Sequence, residues 1–485
     1  MKLSNVLDGI SFSGMTNGDA EICDIAYDSR KAGDGIMFVC LSGARMDGHD
    51  FAQNAYDKGS RVFLCEKIVS LPEDAQIIIC ENTRASLAKA SCNFFENPSK
   101  DIAVIGITGT KGKTTVAHII KTVLDTAGIK TGIIGTIGAG YGDVKLPTVN
   151  TTPESYELQK MFRLMADAGC KAVAIEVSSL GLKFHRTDGT QFAVGVFTNL
   201  YPDHIGTNEH ESFEEYAYWK KQLFHMCKKA IVNIDDEFSS EIIKECSCPV
   251  ITYGYNDKAD YCLNTTKKVR LAHILGVEFS FFHGEKEHTY MISMPGDVNA
   301  HNALIAAAVA DEMGIDEAKV KDALAHVYVK GRGEIVETGK DFTVIIDYAH
   351  NGVSLKSIIE TVGAYEHNRI IALYGSVGGR TEIRRRELGL VSGAMCDLTI
   401  ITSDDPDFED PQNIIYDIAA AVEEAGGKYV SIADRGEAIH YAISIAQSSD
   451  IIVLAGKGHE EFMKVRGEKL PFSEKKEILD AVKAL

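Results

Sequence analysis

At 485 residues, with 45% hydrophobic and 25% charged residues, the chain has a globular composition and is too long for one compact core. The formal net charge of −19 argues against a nucleic-acid partner, because a phosphate backbone is bound by a concentrated basic surface. No apolar run is long enough to span a bilayer, the first residues lack a secretory signal, and the eleven cysteines show no metal-ligand spacing. A cytoplasmic protein with reduced thiols and no membrane insertion is therefore expected.

The first hundred residues contain short mixed segments and turn signals, and predict a small α/β domain that ends near Asn97-Pro98. Apolar strands and amphipathic helices then alternate more regularly. Strands are predicted at 102–107, 171–177 and 192–198, with a helix at 115–127. Because each strand ends in polar residues, we expect a buried parallel sheet whose carboxyl edge carries a ligand site.

A second series of strands and helices follows Lys330-Gly331-Arg332-Gly333, which predicts a domain boundary there. The predicted strands cover 343–346, 370–374, 398–402, 429–432 and 451–455, and the predicted helices lie near 353–365, 381–394, 411–425 and 435–447. The expected fold class is therefore α/β with three domains. These are a small N-terminal α/β domain over 1–98, a central parallel-sheet domain over 99–330 and a C-terminal Rossmann-like α/β domain over 331–485.

A glycine-rich loop, Gly109-Thr110-Lys111-Gly112-Lys113-Thr114-Thr115, joins the predicted strand 102–107 to the following helix. Glycines let backbone N–H groups turn toward a phosphate, and the helix N-terminus adds its positive end. Lys113 would reach the terminal phosphates, and Thr114 or Thr115 would hold Mg²⁺. Ile107 stands where a standard phosphate-binding loop has its first glycine, so a solvated turn is the alternative. The strand before and the helix after favour a nucleotide site.

Three further residues bear on the chemistry of the central domain. Glu176 ends a predicted strand, where a carboxylate can hold the Mg²⁺ that bridges phosphates. His204 follows another predicted strand, and Lys220 lies in a helical stretch. Taken singly, each has an ordinary structural interpretation as a strand-end cap, a loop histidine or a solvated lysine.

Taken together, the ordered motifs of this chain resemble the Mur ligase family. In detail they resemble its MurE type, which adds the third residue of the peptidoglycan stem peptide to UDP-N-acetylmuramoyl-L-alanyl-D-glutamate. The resemblance runs almost from end to end. The matching motifs are Asp28-Ser29-Arg30, Asp47-Gly48-His49, Gly106 to Thr115, Asn150-Thr151-Thr152-Pro153, Glu176-Val177-Ser178-Ser179, Gly296 to Asn302, Gly331-Arg332, Asp347-Tyr348-Ala349-His350, Asp404-Asp405-Pro406 and Gly456 to Glu460.

The resemblance implies an ATP-dependent carboxylate–amine ligase that works through an acyl phosphate. The N-terminal domain would bind the UDP-sugar substrate, the central P-loop domain would bind ATP, and the C-terminal domain would bind the incoming amino acid. The residues implied at the ATP site are Gly109, Thr110, Lys111, Gly112, Lys113, Thr114, Thr115, Asn302, Arg332 and Asp347. Two Mg²⁺ ions are implied at Thr114, Glu176, His204 and Lys220.

Lys220 matches the carbamylated lysine of the family. A bare ammonium would repel Mg²⁺, whereas a carbamate is an anionic oxygen ligand. Lys113, His204 and Lys220 are therefore the residues implied to be catalytic. The implied contacts to the UDP-muramoyl substrate are Ser29, Asn150, Thr151, Thr152, Ser179 and Arg186. The implied contacts to the amino acid are Arg380, Asp404, Asp405, Asp407, Gly456 and Glu460.

Two departures from the family pattern concern the substrates. Leu180 and Phe184 stand where the family usually has a histidine and a glutamine, which leaves a modified acceptor open. Asp407 stands where members that use diaminopimelate carry an arginine that grips the second carboxylate. Since an aspartate repels a carboxylate but accepts an ammonium, the sequence predicts a diamino acid such as L-lysine as the incoming substrate. A solvated loop aspartate is the competing interpretation.

Three alternatives to the tripeptide synthetase stay open: a divergent Mur ligase paralogue, a folylpolyglutamate-type ligase, and a non-catalytic nucleotide-binding subunit. The Asp28-Ser29-Arg30 and Asp47-Gly48-His49 motifs favour a UDP-sugar over a folate. Retention of Lys113, Glu176, His204 and Lys220 argues against a non-catalytic subunit. The expected partners are a UDP-linked muramoyl peptide and a free amino acid, and the enzyme is expected to act as a monomer.

Overall fold

The computed structural model describes residues 1–14, 16–43, 46–203, 205–206, 209–271, 274–379 and 382–485. The chain divides into two compact units. Unit 1 contains Met1–Cys262 and Ile305–Asp316, and unit 2 contains Leu263–Leu304 and Glu317–Leu485. Within the described part of the chain, no helix is both long and apolar enough to cross a membrane. The predicted domain boundaries at 98 and 330 stay predictions, because compactness alone does not assign domains.

The N-terminal part of unit 1 is a small α/β layer. Its elements are α1 (Leu3–Val6), β1 (Asp24–Ala26), β2 (Ile36–Val39), α2 (Ala52–Asp57), β3 (Val62–Cys65), β4 (Gln76–Ile79) and α3 (Thr83–Phe94). The strands form a parallel sheet in the order β1-β2-β3-β4. Asn82 caps α3, because its side chain accepts hydrogen bonds from the backbone N–H groups of Arg84 and Ala85. This cap fixes where the side chain of Arg84 leaves the helix.

The rest of unit 1 is built around a larger sheet. Its elements are β5 (Ala103–Thr108), α4 (Lys113–Thr126), β6 (Thr131–Gly135), β7 (Gly138–Tyr141), β8 (Val144–Leu146), α5 (Ser155–Asp167), β9 (Ala172–Glu176), α6 (Ser179–Lys183), β10 (Phe192–Phe197), α7 (Phe213–Lys221), β11 (Ala230–Asn233), α8 (Ser239–Glu245) and β12 (Val250–Gly254). The strand order in this unit is β12-β11-β10-β5-β9-β6-β7-β8. All neighbours from β12 to β6 are parallel, and β7 and β8 are antiparallel additions.

The predicted strands of the central sheet are confirmed to within a residue at each end. β5 lies between β10 and β9, with buried side chains along nearly its whole length, as a central parallel strand requires. The predicted helix at 115–127 begins two residues earlier, at Lys113, because Gly112 in the left-handed region ends the loop there. The carboxyl ends of β5, β9 and β10 therefore lie at one edge of the sheet, beside the glycine-rich loop.

Unit 2 contains the remaining strands and helices, most of which form a second α/β layer. Its elements are β13 (Tyr261–Leu271), β14 (Ile274–His283), β15 (Lys286–Ile292), α9 (Asp297–Glu312), α10 (Glu317–Ala325), β16 (Glu334–Val336), β17 (Thr343–Asp347), α11 (Gly352–Gly363), β18 (Ile370–Tyr374), α12 (Glu382–Met395), β19 (Leu398–Ile401), α13 (Pro411–Glu424), β20 (Tyr429–Ser431), α14 (Arg435–Ser444), β21 (Ile451–Ala455), β22 (Phe462–Val465), β23 (Glu468–Pro471) and α15 (Glu474–Lys483). β13 begins, and α9 ends, within unit 1.

The main sheet of unit 2 has the order β16-β17-β21-β18-β19-β20. Only β16 is antiparallel to its neighbour, and apolar clusters cover both faces of the parallel strands. The five predicted strands and four predicted helices of this region are confirmed, with ends that differ by at most three residues. The α/β fold class, with a Rossmann-like C-terminal sheet, is therefore confirmed.

A fully buried ion pair lies under the carboxyl edge of this sheet. The guanidinium of Arg435, at the start of α14, donates from Nη2 at 2.7 Å and from Nε at 2.9 Å to Glu474 Oε1 at the start of α15. It also donates to the carbonyl oxygens of Ser403, after β19, and Ala455, the last residue of β21. Arg435 thus joins two helices to two strand ends. The polar loops that follow β19 and β21 depend on this junction.

Replacement of Arg435 by methionine is expected to lower the free energy of unfolding by roughly 3–5 kcal/mol, because it leaves the buried Glu474 carboxylate without a counter-ion. The matched control is Arg386→Met, since Arg386 and Glu424 form a solvent-exposed pair. Its effect should stay below about 1 kcal/mol. Urea unfolding of the two variants measures both values. Equal effects would mean that the Arg435 pair contributes no more than a surface contact.

Candidate functional site

The glycine-rich loop is held against the segment that follows β10. Gly109 has a φ of +148°, and a Cβ there would lie 1.9 Å from Thr198 Oγ1, so only glycine fits. The backbone N–H of Thr110 donates to the carbonyl of Asn199, and the backbone N–H of Lys111 donates to its side-chain oxygen. Thr198 Oγ1 donates to the Lys111 carbonyl at 2.7 Å. Asn199, which sequence reasoning left without a role, therefore shapes the loop, and its position directly after a predicted strand was the available signal.

Two lysine side chains converge on one carbonyl oxygen of this loop. Lys113 Nζ donates to the carbonyl of Gly109 at 2.7 Å and to that of Thr110 at 3.0 Å. Lys220 Nζ donates to the same Gly109 oxygen at 2.8 Å. Burial, with Lys113 as a further cause, holds the pKa of Lys220 well below its ordinary value. A lowered pKa favours the neutral amine, which is the nucleophilic form of a lysine.

A carboxylate and hydroxyl groups meet on the other side of the loop. Glu176, the buried last residue of β9, accepts a hydrogen bond from Thr114 Oγ1 at 2.9 Å. It also accepts from the backbone N–H of Thr136 at 2.8 Å and from Thr136 Oγ1 at 3.2 Å. Carboxylate and hydroxyl oxygens of this kind are suitable ligands for Mg²⁺. Of the two threonines considered from sequence, Thr114 contacts Glu176. Thr136 was missed because no element was assigned to the residues around it.

The residues expected to contact the muramoyl substrate lie partly beside this cluster. Thr152 Oγ1 donates to the Glu176 carbonyl at 2.9 Å, and Thr151 Oγ1 lies 3.1 Å from Thr136 Oγ1. Arg186 Nη1 donates to the carbonyl of Thr152 at 3.1 Å. These three candidates therefore converge near the end of β9.

Ser179 has a partner that sequence reasoning left without a role. Its hydroxyl lies 2.9 Å from Nε2 of His210, a fully buried histidine. Asn150 is exposed, and Ser29 lies in a short 3-10 helix of the N-terminal layer. His204 falls outside the described residues, so its predicted role stays a prediction.

Unit 2 has its own cluster of charged side chains at the ends of β19 and β21. Lys457 is completely buried, and its Nζ lies 2.7 Å from Asp405 Oδ1, 3.0 Å from Glu460 Oε2 and 3.5 Å from Asp404 Oδ1. Burial opposes the charge of Lys457, but the three carboxylates more than offset it and raise its pKa. A Cβ at Gly456 would lie 2.6 Å from Asp404 Oδ2, so glycine is required there. Three carboxylates around one ammonium leave negative charge for a further cation.

Asp407 lies in a different setting from the one expected. Its backbone is left-handed, with a φ of +53°. Its carboxylate accepts from Lys464 Nζ at 2.5 Å and from the backbone N–H of Gly467 at 2.7 Å. The hydrogen bond from Lys464 keeps the pKa of Asp407 below its ordinary value. The loop aspartate is thus paired with a cation of the β22–β23 hairpin. Arg380 lies outside the described residues.

Arg332 and Asp347, expected at the nucleotide, are brought together around Tyr348. The Arg332 guanidinium lies 4.8 Å from the centre of the Tyr348 ring. Asp347 accepts backbone hydrogen bonds from Gly333 and Ala349, and burial raises its pKa. The His459 ring lies 5.1 Å from that of Tyr348, and burial together with Arg332 lowers the pKa of His459 to about 4.

Asn302 is the third residue expected at the nucleotide, and it is buried. Its amide group donates to Asn299 Oδ1 at 3.1 Å. Asn299 in turn donates to the carbonyl of Pro295 at 2.8 Å. The first turns of α9 thus carry an ordered pair of amides.

A phosphate-type loop at the edge of a parallel sheet, together with a separate Rossmann-like layer, defines a nucleotide-dependent α/β enzyme. Models of the Mur ligase family, catalytic domain, of the Mur ligase middle domain and of the Mur ligase, glutamate ligase domain match residues 21–93, 107–310 and 331–458. The chain belongs to the Mur ligase family. Members of this family are ATP-dependent ligases, and the chain is an enzyme of that class.

Two relatives that match almost the whole chain carry the same name. A protein of Caldanaerobacter subterraneus subsp. tengcongensis called UDP-N-acetylmuramoyl-L-alanyl-D-glutamate–2,6-diaminopimelate ligase is 41% identical over 483 residues, 99% of each chain. A protein of the same name from Clostridium perfringens is 38% identical over 489 residues, again 99% of each chain. A solved structure with this name has a TM-score of 0.74 and 26% identity, and covers 100% of this chain and 99% of its own. The predicted resemblance to the MurE type is therefore confirmed.

Lys113→Ala is expected to lower the rate of ATP-dependent ligation by about 10²–10³-fold or more, because it removes a cation beside the transferring phosphate. Lys121→Ala is the matched control, since Lys121 lies on the same helix and pairs with Asp125. The control should retain nearly full activity. Phosphate release measures both rates, and a Lys113→Ala variant as active as the control would contradict the predicted site.

Proposed function

We propose that this chain joins a diamino acid to UDP-N-acetylmuramoyl-L-alanyl-D-glutamate through an acyl phosphate, in peptidoglycan precursor synthesis in the cytoplasm. The observation that carries the proposal is the fully buried Lys220, whose Nζ shares the Gly109 carbonyl with Lys113. The buried Glu176 and Thr114 lie on the same loop edge. The full-length relatives, named for this acceptor, support its identity. On this proposal residues 1–98, 99–330 and 331–485 bind the UDP-sugar, ATP and amino acid, respectively.

The residues of unit 1 suit ATP and Mg²⁺. Thr114 and Glu176 would hold one Mg²⁺, and His204 and a carbamylated Lys220 would hold a second. Bound Mg²⁺ would neutralise the charge that otherwise keeps the carboxylate and the triphosphate apart. Lys113 would hold the terminal phosphates. Its ammonium would leave the Gly109 and Thr110 carbonyls for the anionic phosphate oxygens, which are stronger hydrogen-bond acceptors.

The reaction proceeds by two displacements. An acceptor carboxylate oxygen attacks the γ-phosphorus of ATP, and the bond to ADP breaks. The amine nitrogen then attacks the acyl carbon, the bond to phosphate breaks, and the amine loses a proton. Water would compete for the acyl phosphate, so the buried position of Lys220 and Glu176 favours the amide product over hydrolysis.

The carboxylates around Lys457 are suited to the incoming amino acid. Asp404, Asp405 and Glu460 carry more negative charge than one ammonium neutralises, so an amino group of the substrate would complete the cluster. Two amino groups distinguish a diamino acid from the other common amino acids. This cluster therefore favours a diamino acid.

The choice between two diamino acids depends on Asp407. The preference for L-lysine is not confirmed, because it assumed a carboxylate free to bind the substrate, and Asp407 is paired with Lys464. Lys464 offers a cation to the second carboxylate of 2,6-diaminopimelate, and the names of the relatives support that amino acid. We therefore place 2,6-diaminopimelate first. L-lysine stays the second candidate, because an aspartate occupies the position at which an arginine is expected.

The alternatives receive less support. A folylpolyglutamate-type ligase is disfavoured by full-length similarity to proteins named for a UDP-muramoyl acceptor. A non-catalytic subunit has no need for a buried lysine, Lys220, that donates to the glycine-rich loop. A divergent paralogue with a modified acceptor stays compatible with Leu180 and Phe184.

Purified protein is expected to form ADP, phosphate and one amide only when ATP, the UDP-muramoyl dipeptide and a diamino acid are all present. Catalytic efficiency with meso-diaminopimelate, L-lysine and L-ornithine then decides the amino acid. Lys464→Ala should lower the efficiency with diaminopimelate by roughly tenfold or more, because a charge-assisted hydrogen bond is lost. Lys469→Ala, in the same hairpin, is the control. A preference for L-lysine that Lys464→Ala leaves unchanged would reject diaminopimelate.

Lys220 is expected to be carbamylated, since burial favours its neutral amine and that amine can react with CO₂. Removal of CO₂ from the buffer should lower the activity, and added bicarbonate should restore it. Lys220→Ala should be nearly inactive, with partial recovery on addition of short carboxylic acids. Lys221→Ala, at the neighbouring position where the lysine pairs with Glu241, is the control. Activity that is independent of CO₂, with no rescue of Lys220→Ala, would refute carbamylation.

A further inference from the structure

Two arginines from different parts of unit 1 converge on one side of Phe184. Arg84, at the start of α3 in the N-terminal layer, has its guanidinium carbon 4.9 Å from the centre of the Phe184 ring. The guanidinium carbon of Arg186 lies 5.6 Å from the same ring. Both distances are within the range of cation–π attraction. The phenylalanine that departs from the family pattern is therefore a platform for two cations.

Both guanidiniums also share a single carboxylate oxygen. Arg84 Nη1 donates to Glu154 Oε2 at 3.2 Å, and Arg186 Nε lies 3.5 Å from the same atom. Neither arginine forms the two parallel hydrogen bonds of a bidentate pair with Glu154. Glu157, one turn further along α5, accepts a hydrogen bond from the Tyr27 hydroxyl at 2.7 Å. Glu154 alone therefore leaves many N–H groups of the two arginines without a carboxylate partner.

Each arginine also contacts a backbone carbonyl oxygen. Arg84 Nη2 lies 3.3 Å from the carbonyl of Ser42, and Arg186 Nη1 donates to that of Thr152. Among the described residues, Arg186 Nε is buried without a hydrogen-bond partner. An arginine side chain carries five N–H donors, so each guanidinium can accept a further anion.

We propose that Arg84, stacked on Phe184 beside Arg186, binds the carboxylate of the glutamyl acceptor that is not activated by ATP, and so selects an acceptor that ends in an acidic residue. This inference rests on the proposed function and deepens it. Phe184 replaces an amide contact with a flat apolar support that orients both guanidiniums. Glu154 keeps them in place until the substrate carboxylate binds. The N-terminal layer thereby contributes a cation to the peptide end of the acceptor, in addition to any contact with UDP.

The test compares two ligands that differ only in the glutamyl residue: UDP-N-acetylmuramoyl-L-alanyl-D-glutamate and UDP-N-acetylmuramoyl-L-alanine. Arg84→Ala should weaken binding of the first by about 10- to 100-fold, the range for a charged hydrogen bond. Binding of the second should change by less than about twofold. Calorimetric titration measures both affinities, and the KM of the acceptor should rise while the KM of ATP stays unchanged.

Further variants separate a binding role from a structural one. Arg84→Lys should fall between wild type and Arg84→Ala, because it keeps the charge but loses the planar fork. Phe184→Leu should weaken glutamyl binding less than Arg84→Ala does, because it removes only the platform. Arg163→Ala is the control, since Arg163 pairs with Asp101 and Asp167 away from Phe184. It should bind both ligands as the wild type does.

The possible outcomes are distinct. Equal loss of both ligands in Arg84→Ala would mean that Arg84 only holds the two layers together, and would overturn the inference. Unchanged affinity for both ligands would overturn it as well. If wild type forms product and Arg84→Ala has an unchanged KM for the acceptor, the inference fails while the proposed function stands. If wild type binds the glutamyl ligand through Arg84 but forms no product with any amino acid, the inference stands and the proposed function fails. Wild type that binds neither ligand would overturn both.

Discussion

The carbonyl oxygen of Gly109 is the point on which the nucleotide site depends. Its backbone adopts a φ of +148°, and Thr198 leaves no space for a side chain, so the carbonyl is fixed in direction. Two lysines donate to it, one from the loop and one from α7. Two adjacent ammonium groups repel each other, and only Lys220 is fully buried. Burial and the nearby Lys113 therefore destabilise the charged form of Lys220, which explains why its pKa is lowered.

In the charged cluster of unit 2, a buried lysine has its pKa shifted in the opposite direction. Lys457 is as deeply buried as Lys220, yet three carboxylates raise its pKa instead of lowering it. Beneath it, Arg435 and Glu474 form a buried pair that also satisfies the carbonyl groups at two strand ends. Burial alone does not decide the charge state of a lysine, because the neighbouring charges decide whether the ammonium is stabilised. Burial thus destabilises the ammonium of Lys220, whereas the neighbouring carboxylates stabilise that of Lys457.

The contacts around Phe184 and Asp407 show that the effect of a departure from the family pattern depends on the neighbouring residues. Phe184 looks in sequence like the loss of a polar contact, but two guanidiniums stack on it. Asp407 looks like a reversal of charge, but Lys464 pairs with it and restores a cation to the same loop. Arg84 lies 100 residues from Phe184 in the chain, and Lys464 lies 57 residues from Asp407. A substitution considered without its spatial partner therefore gives an incomplete account of the local charge.

The sequence alone determined the α/β class, the strands at 102–107, 370–374 and 451–455, and the glycine-rich loop, because these depend on local periodicity and on backbone conformations that only glycine adopts. It also identified the family, since many motifs occur in a fixed order. It assigned no elements to the antiparallel strands β7, β8, β14 and β15, to β13 or to the β22–β23 hairpin. The partners of Glu176, Asp407 and Phe184 come from 40, 57 and 100 residues away in the chain. Only tertiary structure decided those pairings, because hydrogen bonds and ion pairs between distant segments leave no periodic signal in the chain.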